Sequence, residues 1–162
     1  MREYVSGEIM KFRFDTYCGL YCGACELMNA FRAGKQKEMA EQWNMDPEDI
    51  KCYGCKSGDE SCWCNDCEFK RCAIEKGVDF CGECTEYPCK MLKDFQADDA
   101  VHHSSVLRGC DRIKEIGMEK WLTEQAIRWS CEQCGATSTW YRENCDKCGA
   151  ELINCIKEEN SL

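Results

Sequence analysis

Six Cys-x-x-Cys pairs occur in this chain of 162 residues, and no other feature limits its possible folds as strongly. The pairs are Cys22/Cys25, Cys52/Cys55, Cys64/Cys67, Cys81/Cys84, Cys131/Cys134 and Cys145/Cys148. Two intervening residues allow both thiolates of one tight turn to bind the same metal ion. The spacing therefore predicts a protein that is organised by bound metal.

The chain contains 18 cysteines, and this density indicates either disulfides in an oxidising compartment or metal–thiolate sites in a reducing one. Charged residues interrupt the segment from Met1 to Asp15, so it has no apolar run typical of a secretion signal or a membrane span. A disulfide within a Cys-x-x-Cys pair would also close too small a loop to restrain the unfolded chain. We therefore expect a cytoplasmic protein with reduced thiols.

Ordinary apolar residues are scarce in this sequence. The hydrophobic fraction is 44%, and cysteine supplies about a quarter of it. Ligands that meet only in the folded chain turn metal-binding energy into folding energy, on the order of 10 kcal/mol for each structural zinc. We therefore expect the metal-free chain to be largely unfolded.

The net charge restricts the class of partner. The formal charge is -9, and each zinc ion bound by four thiolates would add about -2. A field of this sign repels phosphate backbones and anionic membrane surfaces. We therefore expect an unidentified protein partner and no membrane, and the charge disfavours nucleic acid as a partner.

The distribution of cysteines divides the chain into three parts. We predict a cysteine-rich metal-binding domain at residues 15–97, a helical hairpin or linker at 98–128 and a zinc ribbon at 129–155. The first and third parts should consist of cysteine knuckles with short elements between them. The predicted class is a small metal-stabilised α+β fold.

Apolar spacing and helix-ending residues predict the helices. A helical stripe from Glu26 to Trp43 is interrupted near Gly34, a second helix at 68–76 ends at Gly77, and a third begins at Pro88 and ends near residue 97. Residues 106–116 and 118–129 carry two further stripes separated by Gly117. The adjacent His102 and His103 are expected on the surface.

The C-terminal segment reads Cys131-x2-Cys134-x10-Cys145-x2-Cys148, with Gly135 and Gly149 directly after the two pairs. Four thiolates complete the tetrahedral coordination of zinc and leave no position open for chemistry. Residues 137–141 (TSTWY) suit a strand. The pattern predicts a structural zinc ribbon. Its aromatic residues, Trp129, Trp140 and Tyr141, could either contact a partner or cover the small core.

The same segment resembles a zinc finger of the Ran-binding-protein type, because Trp129 precedes the first cysteine pair at the matching distance. That resemblance covers 20 residues and implies binding of single-stranded RNA or of ubiquitin. The internal asparagine of that finger is replaced by Ser138, and the basic residues around the ribbon are balanced by acidic ones. RNA binding through the ribbon is therefore an alternative function that the charge disfavours.

Sixteen cysteines are candidate metal ligands, enough for three to four zinc ions. They are Cys18, Cys22, Cys25, Cys52, Cys55, Cys62, Cys64, Cys67, Cys72, Cys81, Cys84, Cys89, Cys131, Cys134, Cys145 and Cys148. In the first domain the simplest grouping joins neighbouring pairs, 22/25 with 52/55 and 64/67 with 81/84, across loops of modest length. Spacing alone does not fix this grouping. The remaining two cysteines, at positions 110 and 155, are expected to be free.

An iron–sulfur cluster in the first domain is the alternative to zinc, because ligation by thiolates alone suits both. Cys18-x3-Cys22-x2-Cys25 resembles the cluster-binding loop of radical S-adenosylmethionine enzymes. Those enzymes need a barrel of about 200 residues, and this chain is too short to supply one beside its other parts. The alternative function is therefore an iron–sulfur, redox or oxidant-sensing protein.

The order of the motifs from Cys18-Gly19-Leu20 through Lys76-Gly77 to Pro88-Cys89 resembles the cysteine-rich family called domain of unknown function 3795. The resemblance covers about residues 15 to 97 and implies bound zinc. It implies no established activity and supplies no catalytic residues. Cys62 is additional to the family's pattern.

No catalytic motif is evident in the sequence. It has two histidines, no glycine-rich phosphate loop and no paired carboxylates in a catalytic pattern. The function predicted from the sequence is a multi-zinc protein that acts as a non-catalytic interaction module.

Overall fold

Helices make up most of the regular structure in the computed structural model, which describes residues 2–5, 8–58 and 63–160. Four short 3-10 helices also occur in this part of the chain, at Cys22–Ala24, Pro47–Asp49, Cys81–Glu83 and Val101–Ser105. The α-helices are α1 (Glu26–Arg32), α2 (Gln36–Trp43), α3 (Glu68–Lys76), α4 (Lys90–Gln96), α5 (Val106–Ile116), α6 (Met118–Arg128) and α7 (Cys155–Glu159).

The predicted α+β class is wrong, because the described residues form a mainly helical fold. Their one sheet is an antiparallel hairpin of two four-residue strands, β1 (Arg2–Val5) and β2 (Glu8–Lys11). The strand predicted at 137–141 does not form, and the ribbon contains only isolated bridges, Ser130 to Thr137 and Asn144 to Glu151. Trp140, in the middle of the predicted strand, pairs elsewhere, because its N–H donates to the Ala24 carbonyl and its carbonyl accepts from the Cys155 N–H.

The predicted helix boundaries in the first domain are largely confirmed. The stripe after Glu26 is divided into α1 and α2 at Gly34, which has a φ of +69°, and α3 ends at Gly77 with a φ of +66°. Glycine adopts this left-handed region without the steric cost of a Cβ. The third helix, α4, begins at Lys90 rather than Pro88, because Cys89 still has extended backbone and serves as the N-cap.

The two helical stripes after residue 105 form α5 and α6, which are joined at Gly117. Val106, Cys110 and Ile113 are buried along one face of α5, which is the period expected of an amphipathic helix. The Arg112 guanidinium on α5 donates two hydrogen bonds to the Glu124 carboxylate on α6, at 3.0 and 2.6 Å. None of the described helices is long and apolar enough to cross a membrane.

One buried hydrophobic cluster includes residues from all three predicted parts of the chain. A close backbone contact fixes the hairpin on the first domain, since a Cβ added to Gly109 on α5 would lie 2.2 Å from the Gly19 carbonyl oxygen. Only glycine allows this approach. The members of the cluster include Leu20, Phe69, Phe80, Leu92, Val106, Ile113, Trp121, Trp129 and Trp140.

Candidate metal centres

The ribbon, residues 129–155, brings four thiols together at the distances expected of one metal ion. The ligand atoms of Cys131, Cys134, Cys145 and Cys148 all lie within 4.8 Å of one another. The sulfur of Cys131 is 3.5 Å from that of Cys148, and the sulfur of Cys134 is 3.6 Å from that of Cys145. Tetrahedral zinc with Zn–S bonds of about 2.3 Å requires sulfurs about 3.8 Å apart. The donor set and its spacing therefore fit one four-coordinate ion.

Two turns with equivalent hydrogen bonds hold these thiols. In the first turn the Cys131 N–H donates to the Ala136 carbonyl and the Gly135 N–H donates to the Cys131 carbonyl, both at 2.8 Å. Residues 145–150 repeat both bonds at the same length. Gly135 and Gly149 have φ values of +72° and +75°, so glycine supplies the left-handed conformation in each turn. The ribbon is thus two copies of one cysteine knuckle facing each other.

The ribbon thiols influence one another electrostatically. A hydrogen bond from the Cys148 N–H lowers the pKa of the Cys145 thiol to about 7. The Ala150 N–H favours a thiolate at Cys148, but hydrogen bonds with neighbouring thiols, Cys131 among them, raise the pKa of Cys148 to about 12. Four adjacent thiolates repel each other, and a bound cation removes this repulsion.

The ribbon packs on the N-terminal half of the chain through backbone and aromatic contacts. The Trp140 N–H donates to the Ala24 carbonyl at 3.0 Å, and the Tyr141 N–H donates to Glu26 Oε1 at 3.0 Å. The His102 ring stacks on Trp140 with centroids 4.1 Å apart, and its Nδ1 is 2.7 Å from the Tyr141 hydroxyl. Burial lowers the pKa of His102 to about 4. His102, expected on the surface, is therefore part of an interdomain contact.

The ribbon's aromatic residues lie mainly in the core. Trp129 and Trp140 are only 6% and 7% exposed, whereas Tyr141 is 36% exposed. The two tryptophans, which could have contacted a partner, instead cover the junction between the ribbon and the helices. Tyr141 alone among the three retains a substantial exposed surface.

A first group of cysteines in the N-terminal half packs beside α1. Cys22, Cys25 and Cys52 lie against a small hydrophobic cluster that contains Leu27 of α1. The thiol of Cys64 forms a hydrogen bond with that of Cys52. Burial raises the pKa of Cys25 to about 12, as expected for a thiol that lacks a nearby cation.

A second group contains Cys18, Cys55 and Cys67. Burial, together with the nearby thiols of Cys18 and Cys67, raises the pKa of Cys55 to about 12. The Cys18 loop is held by Thr16, whose hydroxyl donates to the Leu20 carbonyl at 2.9 Å and accepts from the Gly19 N–H at 3.0 Å. Hydrogen bonds to one side chain thus fix the loop that carries Cys18.

A third group surrounds a cavity of about 300 Å³ between α3 and the start of α4. Cys72, Cys81, Cys84 and Cys89 line this cavity. Burial raises the pKa of Cys81 to about 12, and the nearby thiol of Cys18 and then the other three thiols of the cavity contribute to the increase. The structure therefore places Cys72 and Cys89 beside the 81/84 pair, which spacing alone had joined to the 64/67 pair.

The cysteine pattern of residues 14–94 matches the family model described as Protein of unknown function (DUF3795). The chain belongs to this family. The match covers half of the chain and ends before α5, so all three N-terminal cysteine groups lie inside the DUF3795 domain and the ribbon lies outside it. No curated protein and no solved structure matches the chain in equivalent comparisons.

The DUF3795 domain and the ribbon differ in how closely their sulfurs approach. In residues 2–5, 8–58 and 63–160, the ribbon cysteines are the one group of three or more potential ligands whose donor atoms all lie within 4.8 Å of one another. Some cysteines of the DUF3795 domain approach each other in pairs, as Cys52 and Cys64 do, but no three in its described residues come this close together. Cys62, the additional candidate ligand, lies outside the described residues.

The two cysteines expected to be free are both buried. Cys110 is completely inaccessible on α5, and its thiol donates to the Cys18 carbonyl at 3.5 Å. Cys155 begins α7 beside Tyr141, and its thiol accepts a hydrogen bond from the Tyr141 hydroxyl. Both therefore contribute to packing between segments that carry ligands.

The sequence analysis missed two lysine side chains, Lys56 and Lys76, that lie close to the cysteines. The Lys56 ammonium, almost fully buried, lies 3.3 Å from the Asp15 carboxylate and 3.2 Å from that of Asp79. Lys76 donates to the Cys84 sulfur at 3.6 Å. Lys76 follows Cys72 by four residues on α3, so helical spacing could have predicted that they share one face. No spacing in the sequence pointed to Lys56, because Asp15 and Asp79 come close to it only in the folded chain.

Proposed function

We propose that this protein is a metal-stabilised scaffold whose ribbon binds one zinc ion in a closed, non-catalytic site. The four ribbon sulfurs within 4.8 Å of one another are the single observation that carries the proposal. Four thiolates occupy every position of tetrahedral zinc, so no position is open for water or substrate. The ion would supply the stabilisation that the ribbon's few apolar residues do not.

The small core of the ribbon supports a structural role for the ion. Its own buried cluster consists of Cys131, Cys145 and Leu152, with Ala136 and Ala150 beside them. One leucine and two alanines bury too little apolar surface to order a segment of this length. Zinc bridging the two knuckles would close the ribbon and allow Trp140 to pack on the helices.

We further propose that the scaffold's partner is a protein and not a nucleic acid. The net charge of -9 repels phosphates. The basic side chains near the ribbon are also neutralised locally, because Arg128 pairs with Glu158, Arg142 with Asp146 and Lys157 with Glu151. Ion pairs of this kind must be broken before the same side chains can bind a phosphate backbone.

The zinc content of matched cysteine variants tests the ribbon site. Cys148 is exposed, so Cys148→Ser removes a ligand with little effect on packing, and we expect it to lose one zinc equivalent per chain. The control is Cys155→Ala, which removes a nearby buried thiol that is not a ribbon ligand and should retain all zinc. Wild-type zinc content in Cys148→Ser would contradict the proposal.

A further inference from the structure

The cavity lined by Cys72, Cys81, Cys84 and Cys89 differs in kind from the ribbon site. It has a volume of about 300 Å³, and apolar side chains such as Val78 and Leu92 complete its walls. Four sulfurs around one tetrahedral zinc ion are in contact with one another and leave no cavity between them. These four thiols therefore line more space than a single ion requires.

The sulfur spacing leads to the same conclusion. No three of these four thiols lie within 4.8 Å of one another, although all four are in the described part of the chain. The ribbon, in the same structure, has sulfur separations of 3.5 and 3.6 Å. An iron–sulfur cluster binds its cysteines through different iron atoms, which holds the thiolates further apart than one ion does. We propose that this cavity binds an iron–sulfur cluster.

The backbone around the cavity is fixed by contacts with the rest of the protein. The Cys81 N–H donates to the Tyr17 carbonyl at 2.7 Å, and the Cys84 N–H donates to the Cys81 carbonyl at 3.1 Å. The Tyr87 hydroxyl donates to the Asp111 carboxylate on α5 at 2.7 Å. These bonds fix the loop that leads to Cys89 against Tyr17 and α5. Contraction of the four thiols onto one zinc ion would require this loop to move.

The surroundings of Cys84 suit a thiolate that carries delocalised cluster charge. Its sulfur accepts hydrogen bonds from the Glu86 N–H at 3.5 Å and from the Lys76 ammonium at 3.6 Å. Lys76 is also ion-paired with Glu86, which fixes the ammonium group beside the sulfur. Hydrogen bonds to cysteine sulfur are one of the means by which proteins set the reduction potential of such clusters. Lys76 is therefore a positioning residue for the cluster.

Anaerobic reconstitution of the full chain with ferrous iron and sulfide tests the proposal. We expect the wild type to bind iron and acid-labile sulfide in equal amounts and to show broad visible absorption, which zinc does not give. The variants form a crossed pair. Cys89→Ser should lose the iron, the sulfide and the absorption but retain the ribbon zinc, and Cys148→Ser should lose the ribbon zinc but retain the cluster.

The crossed design separates this proposal from the zinc site in the ribbon. Circular dichroism and retained ribbon zinc show that Cys89→Ser is folded. A third variant, Lys76→Met, should retain iron and sulfide but have a lower reduction potential, because it removes a hydrogen bond and a positive charge from Cys84. The proposal fails if the wild type takes up no sulfide, or if Cys89→Ser binds as much iron and sulfide as the wild type.

Discussion

The ribbon and the DUF3795 domain use cysteine in opposite ways. In the ribbon the thiols make up most of the interior, with Leu152 as the one large apolar residue of its buried cluster. In the DUF3795 domain the cysteines lie around a core of aromatic and aliphatic side chains that continues into α5 and α6. On the function proposed above, metal would hold the ribbon together, whereas apolar packing positions the cysteine groups of the DUF3795 domain.

This comparison limits the expected effect of metal removal to one part of the chain. The low apolar content of the sequence led us to expect that the metal-free chain would be largely unfolded. The structure places completely buried side chains, including Leu92, Val106 and Cys110, in the cluster shared by the DUF3795 domain and the helical hairpin. Burial on this scale stabilises helices independently of any ion. We therefore expect metal removal to unfold the ribbon first.

Replacing Trp140 should produce the largest effect, because this side chain connects the two regions. Trp140 is 7% exposed, stacks on His102 and belongs to the main cluster. We expect Trp140→Ala to lower the free energy of unfolding by about 3 kcal/mol, through lost burial and the cavity left behind. Zinc content should not change, since no ligand is removed. Urea unfolding and metal analysis of the same sample measure both quantities.

Trp63→Ala is the matched control for this substitution. Trp63 is 65% exposed and stacks on Trp43, so its removal should change the free energy of unfolding by well under about 1 kcal/mol. Equal destabilisation by the two substitutions would show that Trp140 does not connect the regions.

A pair of glycine substitutions separates backbone strain from metal binding. Gly135 in the ribbon and Gly34 between α1 and α2 have φ values of +72° and +69°, and an added Cβ would meet no atom within 4 Å at either position. Alanine in this conformation costs about 1 kcal/mol at both sites. Only Gly135→Ala should weaken zinc binding, by about fivefold, because only Gly135 shapes a metal knuckle.

Competition with a chromophoric chelator measures the zinc affinity of these two variants. Equal affinities for Gly135→Ala and Gly34→Ala would mean that the knuckle conformation is not coupled to the ion, which would remove one support for a metal-dependent ribbon.

The contact of His102 with the ribbon should give a smaller, pH-dependent effect. Burial lowers the pKa of His102 from 6.5 to about 4, so the folded protein disfavours the protonated ring. The stability due to neutral His102 is then present above pH 6.5 and is lost as the pH falls toward 4. His102→Phe keeps the stack on Trp140 and removes this titration. We expect the free energy of unfolding of His102→Phe to fall less steeply than that of the wild type as the pH drops from 6.5 to 4. The difference between the two proteins should be below about 1 kcal/mol.

Unfolding measured at several pH values, with wild type and His102→Phe in parallel, checks this prediction. Acid also releases zinc from thiolates in both proteins, so the difference between the two curves isolates His102. Parallel curves between pH 6.5 and pH 4 would contradict a contribution from the His102 contact.

Local signals in the sequence predicted the local features well. Gly34, Gly77 and Gly117 stand where the predicted helices end, because helix termination depends on the conformation of single residues. The ribbon ligands were also predictable, since two pairs with a short loop between them have few other ways to fold. The resemblance to domain of unknown function 3795 is confirmed by the family match.

Contacts between residues that are distant in the sequence could not be predicted from such local signals. The grouping of Cys72 and Cys89 with Cys81 depends on how α3 and α4 pack, and spacing along the chain contains no such information. The predicted strand failed because the Trp140 backbone is hydrogen-bonded to Ala24 and Cys155, which only tertiary folding brings to it. The burial of Trp129 and Trp140 depends on helices from another part of the chain, so the sequence allowed both a contact role and a core role.

Hydrogen–deuterium exchange before and after metal removal tests the central claim most directly. The account predicts that, after chelation, amides of residues 129–155 exchange at the rate of an unfolded chain while those of α5 remain protected. Continued protection of the ribbon without metal, or loss of protection in α5 at the same chelator concentration, would contradict it.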